Sequence, residues 1–452
     1  MEKQKQSSSL AYLRDLWMWD SFQVGAFLQP LLPGIAAIPY AAAAMGVWPK
    51  EGGAIVKLPL TRAFALLSLL LFLSTAFADR PLEALAGIAN FFPYMVWFCT
   101  VHFFIQTPKQ LRKLAWLLTF SSLPICLLGF GQMFLGLATP EFWRTLSGWS
   151  LIPYGKPEGR MSSTFMYANV LAFYLVVVLM LTLGLWIDAF QQWRKNQTKQ
   201  SLQVVAFLSG AIFLNSVSLI SSQSRNAWAL AIFGSLSFAF YIGWRLLVLG
   251  IGAFAGTIAW ASFAPAWGGE TLRQVVPHFL WARLSGEMYP DPPLPLLRMT
   301  QWQFCWNLIR DRPLLGWGLR NFSFLYKEAT DVWLGHPHNL FLMLAAETGM
   351  IATVFLCGII AWILARGILL LGNSTFSDRD RWILFTFLVA FITCIGFNFL
   401  DVSIFDLRIN TLGWVVLAAI AGVTQYQNEI NPTHPPTSDP PPSSLPREGR
   451  NP

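Results

Sequence analysis

The segment HPHN, residues 336–339, offers the clearest chemistry in the sequence. The chain has five histidines in 452 residues, and two of them, His336 and His338, stand here beside Asn339, where a polar stretch meets an apolar one. An imidazole has an unperturbed pKa of about 6.5, so it can take a proton from a hydroxyl group near neutral pH. His338 is therefore a candidate general base. The structural alternative is that it caps the helix that begins near Asn339.

Two arginines are candidate anion-binding residues. Arg225, in SSQSRNAWALA, stands between two apolar segments with almost no loop and no acidic residue nearby in sequence. An arginine at the centre of a membrane helix costs roughly 2.5 to 3.5 kcal/mol, and a guanidinium can hold two phosphate oxygens at once. Arg298 begins a predicted helix, whose free N–H groups would help to hold the same anion. The alternative for both is that the side chain reaches out to lipid headgroups.

A third polar cluster stands in GRMSSTFMYANVLA, residues 159–172, where Arg160 and Asn169 precede an apolar segment. Metal chemistry has less support. The five cysteines are scattered without the spacing of metal ligands or of a disulfide framework. Asp378 and Asp380 have the spacing used by metal-dependent glycosyltransferases, but they fall in a short charged loop. The sequence predicts no metal site and no cofactor.

The composition indicates that these residues belong to a membrane protein. The chain is 55% hydrophobic and 12% charged, which is too apolar for a soluble globule. Apolar segments of about 17 to 25 residues are long enough to cross a bilayer. They predict an all-α polytopic integral membrane protein with about 10–12 transmembrane helices. The predicted spans lie near 21–47, 60–78, 83–106, 112–136, 168–188, 204–222, 227–243, 246–265, 349–371, 382–400 and 409–426.

The lysines and arginines in the loops predict the orientation. Among the short loops, one alternate set holds 13 of them and the other set holds 6, the long loop 266–337 not being counted, and the richer set is expected to be cytoplasmic. This places residues 137–167, Arg225 and residues 266–337 together on the extracytoplasmic face, with the C-terminus inside. The net charge of +8 then reflects topology and not nucleic acid.

The N-terminal topology has two readings. A cytoplasmic N-terminus requires two passes or a re-entrant hairpin through residues 10–47, where Pro30, Pro33 and Pro39 would suit a broken helix. A single pass with the N-terminus outside is the other reading. Charged residues interrupt any apolar run at the start, so no cleaved signal peptide is expected.

The large loop 266–337 is too long for a simple connector. Met299, Trp302, Trp306 and Ile309 recur at helical spacing within it, which predicts an amphipathic helix against the bilayer surface. The resulting organisation is an N-terminal segment, an N-terminal transmembrane bundle, the large extracytoplasmic loop, C-terminal transmembrane helices and a disordered proline-rich tail: 1–20, 21–265, 266–337, 338–426 and 427–452.

Four segments together resemble the O-antigen ligase and O-antigen polymerase superfamily. They are GRMSSTFMYANVLA, SQSRNAWAL, RMTQWQFCWNLIRDRPLLGWGLRNF and HPHNLFLMLAAETGM, in that order. The resemblance covers about residues 155–372 and extends to relatives that have been labelled bicarbonate transporters. It implies transfer of a glycan from a polyprenyl-diphosphate carrier to an acceptor hydroxyl on the extracytoplasmic face, without metal or nucleotide.

The resemblance also assigns roles to residues. The paired arginines of the family match Arg225 and Arg298, and its external histidine matches His338. Arg160 matches only loosely, because the usual Gly-Asn-Pro-Asn run is replaced by SSTFMYAN, which keeps Asn169. Arg160, Asn169 and Asn339 are thus expected to contact substrate, and Trp302 and Trp317 could stack on sugars, although tryptophan more commonly anchors a helix at the membrane interface.

The expected mechanism is a metal-independent, inverting displacement. Arg225 and Arg298 would neutralise the diphosphate leaving group, and His338 would take the proton from the acceptor or hydrogen-bond to phosphate. The expected partners are a polyprenyl-diphosphate-linked glycan, a glycan, lipid or protein acceptor, and the lipids of the inner (plasma) membrane, without nucleic acid. The alternatives are a polymerase of the same superfamily, a bicarbonate-type transporter or its accessory protein, and a non-catalytic scaffold. Transporters usually keep ionisable groups near the bilayer midplane, whereas these lie at the outer surface.

Overall fold

The computed structural model describes residues 17–288, 293–373 and 376–430, and within these ranges it contains helices and no strand. The α-helices are α1 (17–28), α2 (Pro33–Lys57), α3 (Pro59–Ala76), α4 (Pro81–Ile88), α5 (Phe92–Phe104), α6 (Pro108–Leu135), α7 (Glu141–Ser147), α8 (Ala168–Asn196), α9 (Lys199–Ser221), α10 (Arg225–Ile242), α11 (Arg245–Phe263), α12 (Gly269–Arg273), α13 (His278–Ser285), α14 (Arg298–Asp311), α15 (Phe322–Thr330), α16 (Leu340–Leu371), α17 (Asp378–Asn398) and α18 (Leu407–Ile430).

Nine helical segments within the described ranges are long and apolar enough to cross a membrane: α3, α4 with α5, α6, α8, α9, α11, α16, α17 and α18. The chain is an all-α polytopic membrane protein, as predicted. Two further predicted spans, α2 and α10, fall outside this set. Helix α2 carries Pro49, Lys50 and Glu51 within its length, and α10 begins with the polar pair Arg225 and Asn226.

The predicted first span is broken near its middle. Helix α1 ends at residue 28 and α2 begins at Pro33, so the break lies between Pro30 and Pro33, whereas Pro39 lies inside α2. Proline suits the first turn of a helix because its missing N–H would have no partner there. Helix α2 continues to Lys57, so most of the predicted loop 48–62 is helical. Residues 1–16 of the predicted segment 1–20 lie outside the described residues.

The two ends of the bundle carry different polar groups. Helix α8 has 29 residues and is therefore about 44 Å long. It begins at the end of the bundle that holds residues 266–337, called here the loop end. It finishes at the opposite end, beside the start of α17, where Arg379 pairs with Asp188 at 2.9 Å.

Helices α8 and α18 form the centre of the bundle. Most of their apolar residues are buried, whereas α11 is largely exposed. Helix α8 packs against α6, α9, α10 and α17. The first turn of α8, with Asn169, is thereby held beside the last turn of α17 at the loop end.

Helix α16 has a break that ties the loop to the membrane helices. Gly349 has a φ of +80°, and a Cβ there would collide with the carbonyl of Leu314. Trp317 N–H donates to the Ala346 carbonyl at 3.0 Å, and Gly318 N–H donates to the Glu347 carbonyl at 2.7 Å. The first part of α16, directly after the HPHN segment, is therefore fixed by the loop.

Glu347, for which the sequence offers no role, has a structural one here. Its side chain is buried, and Oε1 accepts a hydrogen bond from the backbone N–H of Phe322 at 3.1 Å. Phe322 is the first residue of α15, where backbone N–H groups lack helical partners. The carboxylate therefore holds the start of α15 against α16.

The amphipathic helix predicted in the loop is α14, and another set of its residues packs against protein. Met299 and Trp306 are exposed, whereas Cys305, Leu308 and Ile309 are buried. These three residues pack with Phe322 and Tyr326 of α15 and with Ala346 of α16. The packing of α14 against protein selects this face.

In the predicted tail 427–452, residues 427–430 continue α18, and residues from 431 onward lie outside the described ones.

Candidate active site

The HPHN segment is held in one conformation by several contacts. His338 has a φ of +54°, a backbone conformation that a residue with a side chain adopts only when its surroundings enforce it. Its backbone N–H donates to His336 Nδ1 at 3.2 Å, and Trp302 Nε1–H donates to the Pro337 carbonyl at 3.0 Å. Asn339, and not His338, caps α16, because its side-chain oxygen accepts from Leu342 N–H at 3.0 Å.

Asp401 is the partner of the candidate base. It is buried in the turn between α17 and α18, and its Oδ1 lies 3.2 Å from His338 Nδ1. The same oxygen accepts the backbone N–H of Val402 at 2.9 Å and lies 3.9 Å from His336 Nε2. Burial alone would raise the pKa of Asp401, but the hydrogen bond with His338 and the charges of the two histidines hold it below its usual value.

This arrangement sets the tautomer of His338 and the acceptor role of His336 Nδ1. An ionised carboxylate only accepts hydrogen bonds, so His338 Nδ1 carries the hydrogen that faces Asp401, and Nε2 is left to accept a proton. His336 Nδ1 is occupied as an acceptor, and burial lowers the pKa of His336 to about 4, although Asp401 acts in the other direction. His336 is therefore neutral near pH 7. An acidic residue that orients a histidine in this way prepares it for general base catalysis.

Asn169 and Arg160 are linked to Asp401 by hydrogen bonds. Asn169 Nδ2 donates to Asp401 Oδ2 at 2.9 Å, and Arg160 Nη2 donates to Asn169 Oδ1 at 2.6 Å. Arg160 is itself buried, and its Nε donates to the Ser222 carbonyl at 2.9 Å. Ser222 lies in the turn just before α10, so Arg160 joins the Asp401 side of the site to the turn that carries Arg225.

Arg225 and Arg298 each begin a helix whose first turn has no side-chain cap, α10 and α14 respectively. Among the described residues Arg225 makes a single long hydrogen bond, 3.5 Å from Nη1 to the Leu284 carbonyl. Arg298 is half-buried. Burial lowers the pKa of its guanidinium, the charge of Asp401 raises it, and the charge of Arg225 lowers it again. Arg298 therefore lies within electrostatic reach of Arg225 and of Asp401, which together with His338 is called here the dyad.

Residues 210–357 match the family model described as O-antigen ligase. This match covers 148 of the 452 residues, and that part of the chain is similar to O-antigen ligases. The match includes Arg225, Arg298, His336 and His338, but Asp401 and the pair Arg160 and Asn169 lie outside it. No curated protein matches the chain. The matched region thus contains the two histidines and the two arginines, and the segments at the start of α8 and after α17 provide the groups around His338.

The two tryptophans predicted to contact sugar have structural hydrogen bonds within the matched region. Trp302 is tied to Pro337, as described above. Trp317 Nε1–H donates to the Leu308 carbonyl at 3.0 Å, and the Arg312 guanidinium carbon lies 3.9 Å from the centre of the Trp317 ring. Trp302 is thus placed beside the HPHN segment, whereas Trp317 packs against the apolar cluster that α14 forms with α15 and α16.

His336, His338 and Asp401 also form a set of potential metal donors. One donor atom from each lies within 4.8 Å of the others, and two histidines with a carboxylate are a common ligand set for divalent metals. However, Arg298 lies within electrostatic reach of His336 and of Asp401. A positive charge so close opposes the binding of a metal cation.

Asp401 is the main residue that sequence reasoning missed. It stands in FNFLDVSIFDLRIN, a short connection between two predicted spans. The parity of the spans puts this connection at the same end as His338, which is the signal that could have found it. The distance of 63 residues along the chain gives no local pattern that joins the two.

Proposed function

We propose that the chain transfers a glycan from a polyprenyl-diphosphate carrier to an acceptor hydroxyl on the extracytoplasmic face of the inner (plasma) membrane. The observation that carries the proposal is a histidine oriented by a buried carboxylate at the same end of the bundle as two arginines that begin uncapped helices. Glycosyl transfer needs both features, since a hydroxyl must lose a proton while a diphosphate gains charge.

In this mechanism His338 Nε2 takes the proton of the acceptor hydroxyl as its oxygen attacks the anomeric carbon. A new C–O bond forms to the acceptor, and the bond between the anomeric carbon and the phosphate oxygen breaks. Polyprenyl diphosphate leaves with the bonding electrons. A single displacement inverts the anomeric centre, and the reaction needs neither metal nor cofactor.

Arg225 and Arg298 bind the diphosphate. A guanidinium fork matches phosphate geometry, and the first turns of α10 and α14 add free N–H groups and the positive ends of two helix dipoles. The two positive charges repel each other until an anion lies between them. The site is therefore better suited to the charge that grows on a leaving diphosphate than to an uncharged ligand.

The remaining predicted residues act mainly by position. Asp401 fixes the imidazole, Asn169 and Arg160 hold Asp401 and the turn before Arg225, and Asn339 fixes the start of α16. Trp302 lies close enough to the HPHN segment to contact donor sugars through its ring.

The test is glycan transfer by purified protein with lipid-linked glycan from the cells that make it. His338→Ala should lower the rate about 10²- to 10⁴-fold, the usual contribution of a general base. Asp401→Asn should lower the rate with little change in donor KM, because an amide N–H facing Nδ1 would leave the proton on Nε2. Asp331→Asn, an exposed acid of the same loop, is the control. Cells without the protein should accumulate lipid-linked glycan and lack the finished surface polysaccharide. Full activity of His338→Ala would refute the proposal.

A further inference from the structure

A concave feature of the surface lies beside the dyad at the loop end. It is a cavity of about 550 Å³ enclosed by α4, α15, the segment before the HPHN residues and the turn that follows α17. This volume is within the usual range of small-molecule sites, roughly 300 to 1,000 Å³. The proposed mechanism does not use this cavity.

Three aromatic rings form part of the cavity wall: Phe324, Trp333 and Phe405. Trp333 is 55% exposed, yet its ring is held edge-on against Phe324, with centroids 5.1 Å apart. Phe405 lies nearly parallel to the His336 ring at 6.2 Å. Exposed rings held by neighbours offer flat apolar faces to a ligand at low entropic cost.

The polar part of the wall is balanced in charge. Arg320 and Glu83 both line the cavity, and Arg320 Nη2 lies 3.8 Å from Glu83 Oε2. Asn90 adds an amide that can donate and accept hydrogen bonds. This combination offers hydrogen bonds to hydroxyl groups without favouring a charged ligand. A pyranose ring has apolar C–H faces and a rim of hydroxyl groups, and the wall matches both.

His336 connects the cavity to the dyad. It lines the cavity, its Nε2 lies 3.9 Å from Asp401 Oδ1, and its Nδ1 accepts the backbone N–H of His338. A sugar in the cavity would therefore present its hydroxyl groups next to the candidate base. Arg225 and Arg298 stand on α10 and α14, away from the cavity wall.

We propose that this cavity binds the acceptor as a neutral saccharide, with Trp333 as its main stacking surface. Its assignment to the acceptor rests on the proposed glycosyl transfer, whereas saccharide binding itself does not. The acceptor would then be the sugar end of a glycan or glycolipid, and a protein side chain would not be the acceptor.

The binding test is saturation-transfer NMR on the purified protein with methyl glycosides of neutral mono- and disaccharides, and with glucuronate as a charged probe. At least one neutral glycoside should receive saturation, and glucuronate should not compete with it. Trp333→Ala should abolish the signal and Trp333→Phe should keep part of it. Trp306→Ala is the matched control, because Trp306 is 53% exposed in the same loop but lies outside the cavity wall. Absence of binding by every neutral glycoside, or equal signals from Trp333→Ala and Trp306→Ala, would overturn the proposal.

The kinetic test separates the acceptor from the donor. Trp333→Ala should raise the acceptor KM about tenfold, the loss expected for one aromatic contact, and leave the donor KM unchanged. A rise in the donor KM instead would overturn the assignment to the acceptor. Saccharide binding by a protein that transfers no glycan would refute the proposed function alone, and transfer without saccharide binding would refute the cavity proposal alone.

Discussion

Arginines have different surroundings at the two ends of the bundle. At the opposite end, Arg112 pairs with Asp380 at 2.9 Å and Arg379 pairs with Asp188 at the same distance. At the loop end, Arg80 and Arg408 are also paired with carboxylates. Within the part of the chain that the structure describes, Arg225 and Arg298 have no carboxylate in ion-pair contact, although the charge of Asp401 acts on Arg298.

The difference shows which charges the fold neutralises by itself. The pairs at the opposite end join α6, α8 and α17, so they bind helix ends together, and such pairs add little stability when exposed. Two arginines close together without carboxylates destabilise a fold slightly, because like charges repel. Such residues are typical of ligand sites, where the charge has a partner only when the ligand is present.

The contrast between the arginines of the loop end and those of the opposite end depends first on these two ends lying on opposite sides of the membrane. Cysteine placed at Lys327, exposed on α15, should react with an impermeant thiol reagent in intact cells, and cysteine at Asn196, exposed at the end of α8, only after permeabilisation. The wild type is the control, because four of its five cysteines are buried and Cys357 is half-buried in α16. The expected difference is all or none. Labelling of both positions from the same side would place both ends on one face.

The next test compares Arg225 with an arginine in a similar position at the opposite end. Arg225→Lys should lower glycan transfer about ten- to a hundred-fold, since a lost charged hydrogen bond costs about 1.5 to 3 kcal/mol in the transition state. Lysine keeps the charge but not the planar fork. Arg245→Lys is the control: Arg245 also is exposed and begins a long helix, α11, without a side-chain cap.

Both variants are measured at equal amounts of folded protein in membranes. Arg245→Lys should keep full activity. If Arg225→Lys keeps it as well, Arg225 is a headgroup anchor, and the contrast between the two ends disappears. Equal losses in both variants would point to membrane anchoring and not to diphosphate binding.

Sequence reasoning identified residues whose surroundings are local. The sequence predicts Arg298 at the start of a helix and Arg225 between two apolar segments, and both begin helices, because the change from polar to apolar residues marks these positions. The all-helical membrane fold followed from runs of apolar residues. Asp401 was missed because its role depends on how α16 and α17 pack, which no local pattern encodes.

The dependence on packing also explains which residues of α14 are buried against protein and which residue caps α16. Spacing predicts Met299 and Trp306 on the face of α14 toward the bilayer, and it does not show that α15 and α16 bury Cys305 and Leu308. His338 was considered as a helix cap, but Asn339 provides the cap. Periodicity and capping preferences restrict such choices to one or two positions, and tertiary contacts decide between them.

A smaller effect is expected from the caps of two membrane helices, one at each end. Asn339 caps α16, and Ser377 caps α17 by accepting from Asp380 N–H at 3.1 Å. Replacing either residue by alanine should lower stability by about 1 kcal/mol, measured as a lower midpoint of thermal unfolding in detergent. Only Asn339→Ala should also lower transfer, by a few-fold, because it loosens the backbone that holds His338.

Asn339→Ser separates capping from substrate contact. Serine caps a helix about as well as asparagine but lacks the amide group. Recovery of transfer in Asn339→Ser would assign Asn339 to positioning. Continued loss of transfer with normal thermal stability would instead support the direct substrate contact expected from the sequence.

The smallest expected effect is that of removing divalent metals, which should leave transfer unchanged. Each end offers candidate donors: His336, His338 and Asp401 at the loop end, and Asp378 with Asp380 at the opposite end. Asp378 pairs with Arg381 at 3.3 Å and Asp380 with Arg112 at 2.9 Å, while Arg298 opposes a cation near Asp401. Transfer is measured after dialysis against a chelator. Loss of activity that one added divalent ion restores would contradict the arginine-based mechanism. The ion would belong to the loop end if His336→Ala then weakened its effect, and to the opposite end if Asp378→Asn did so.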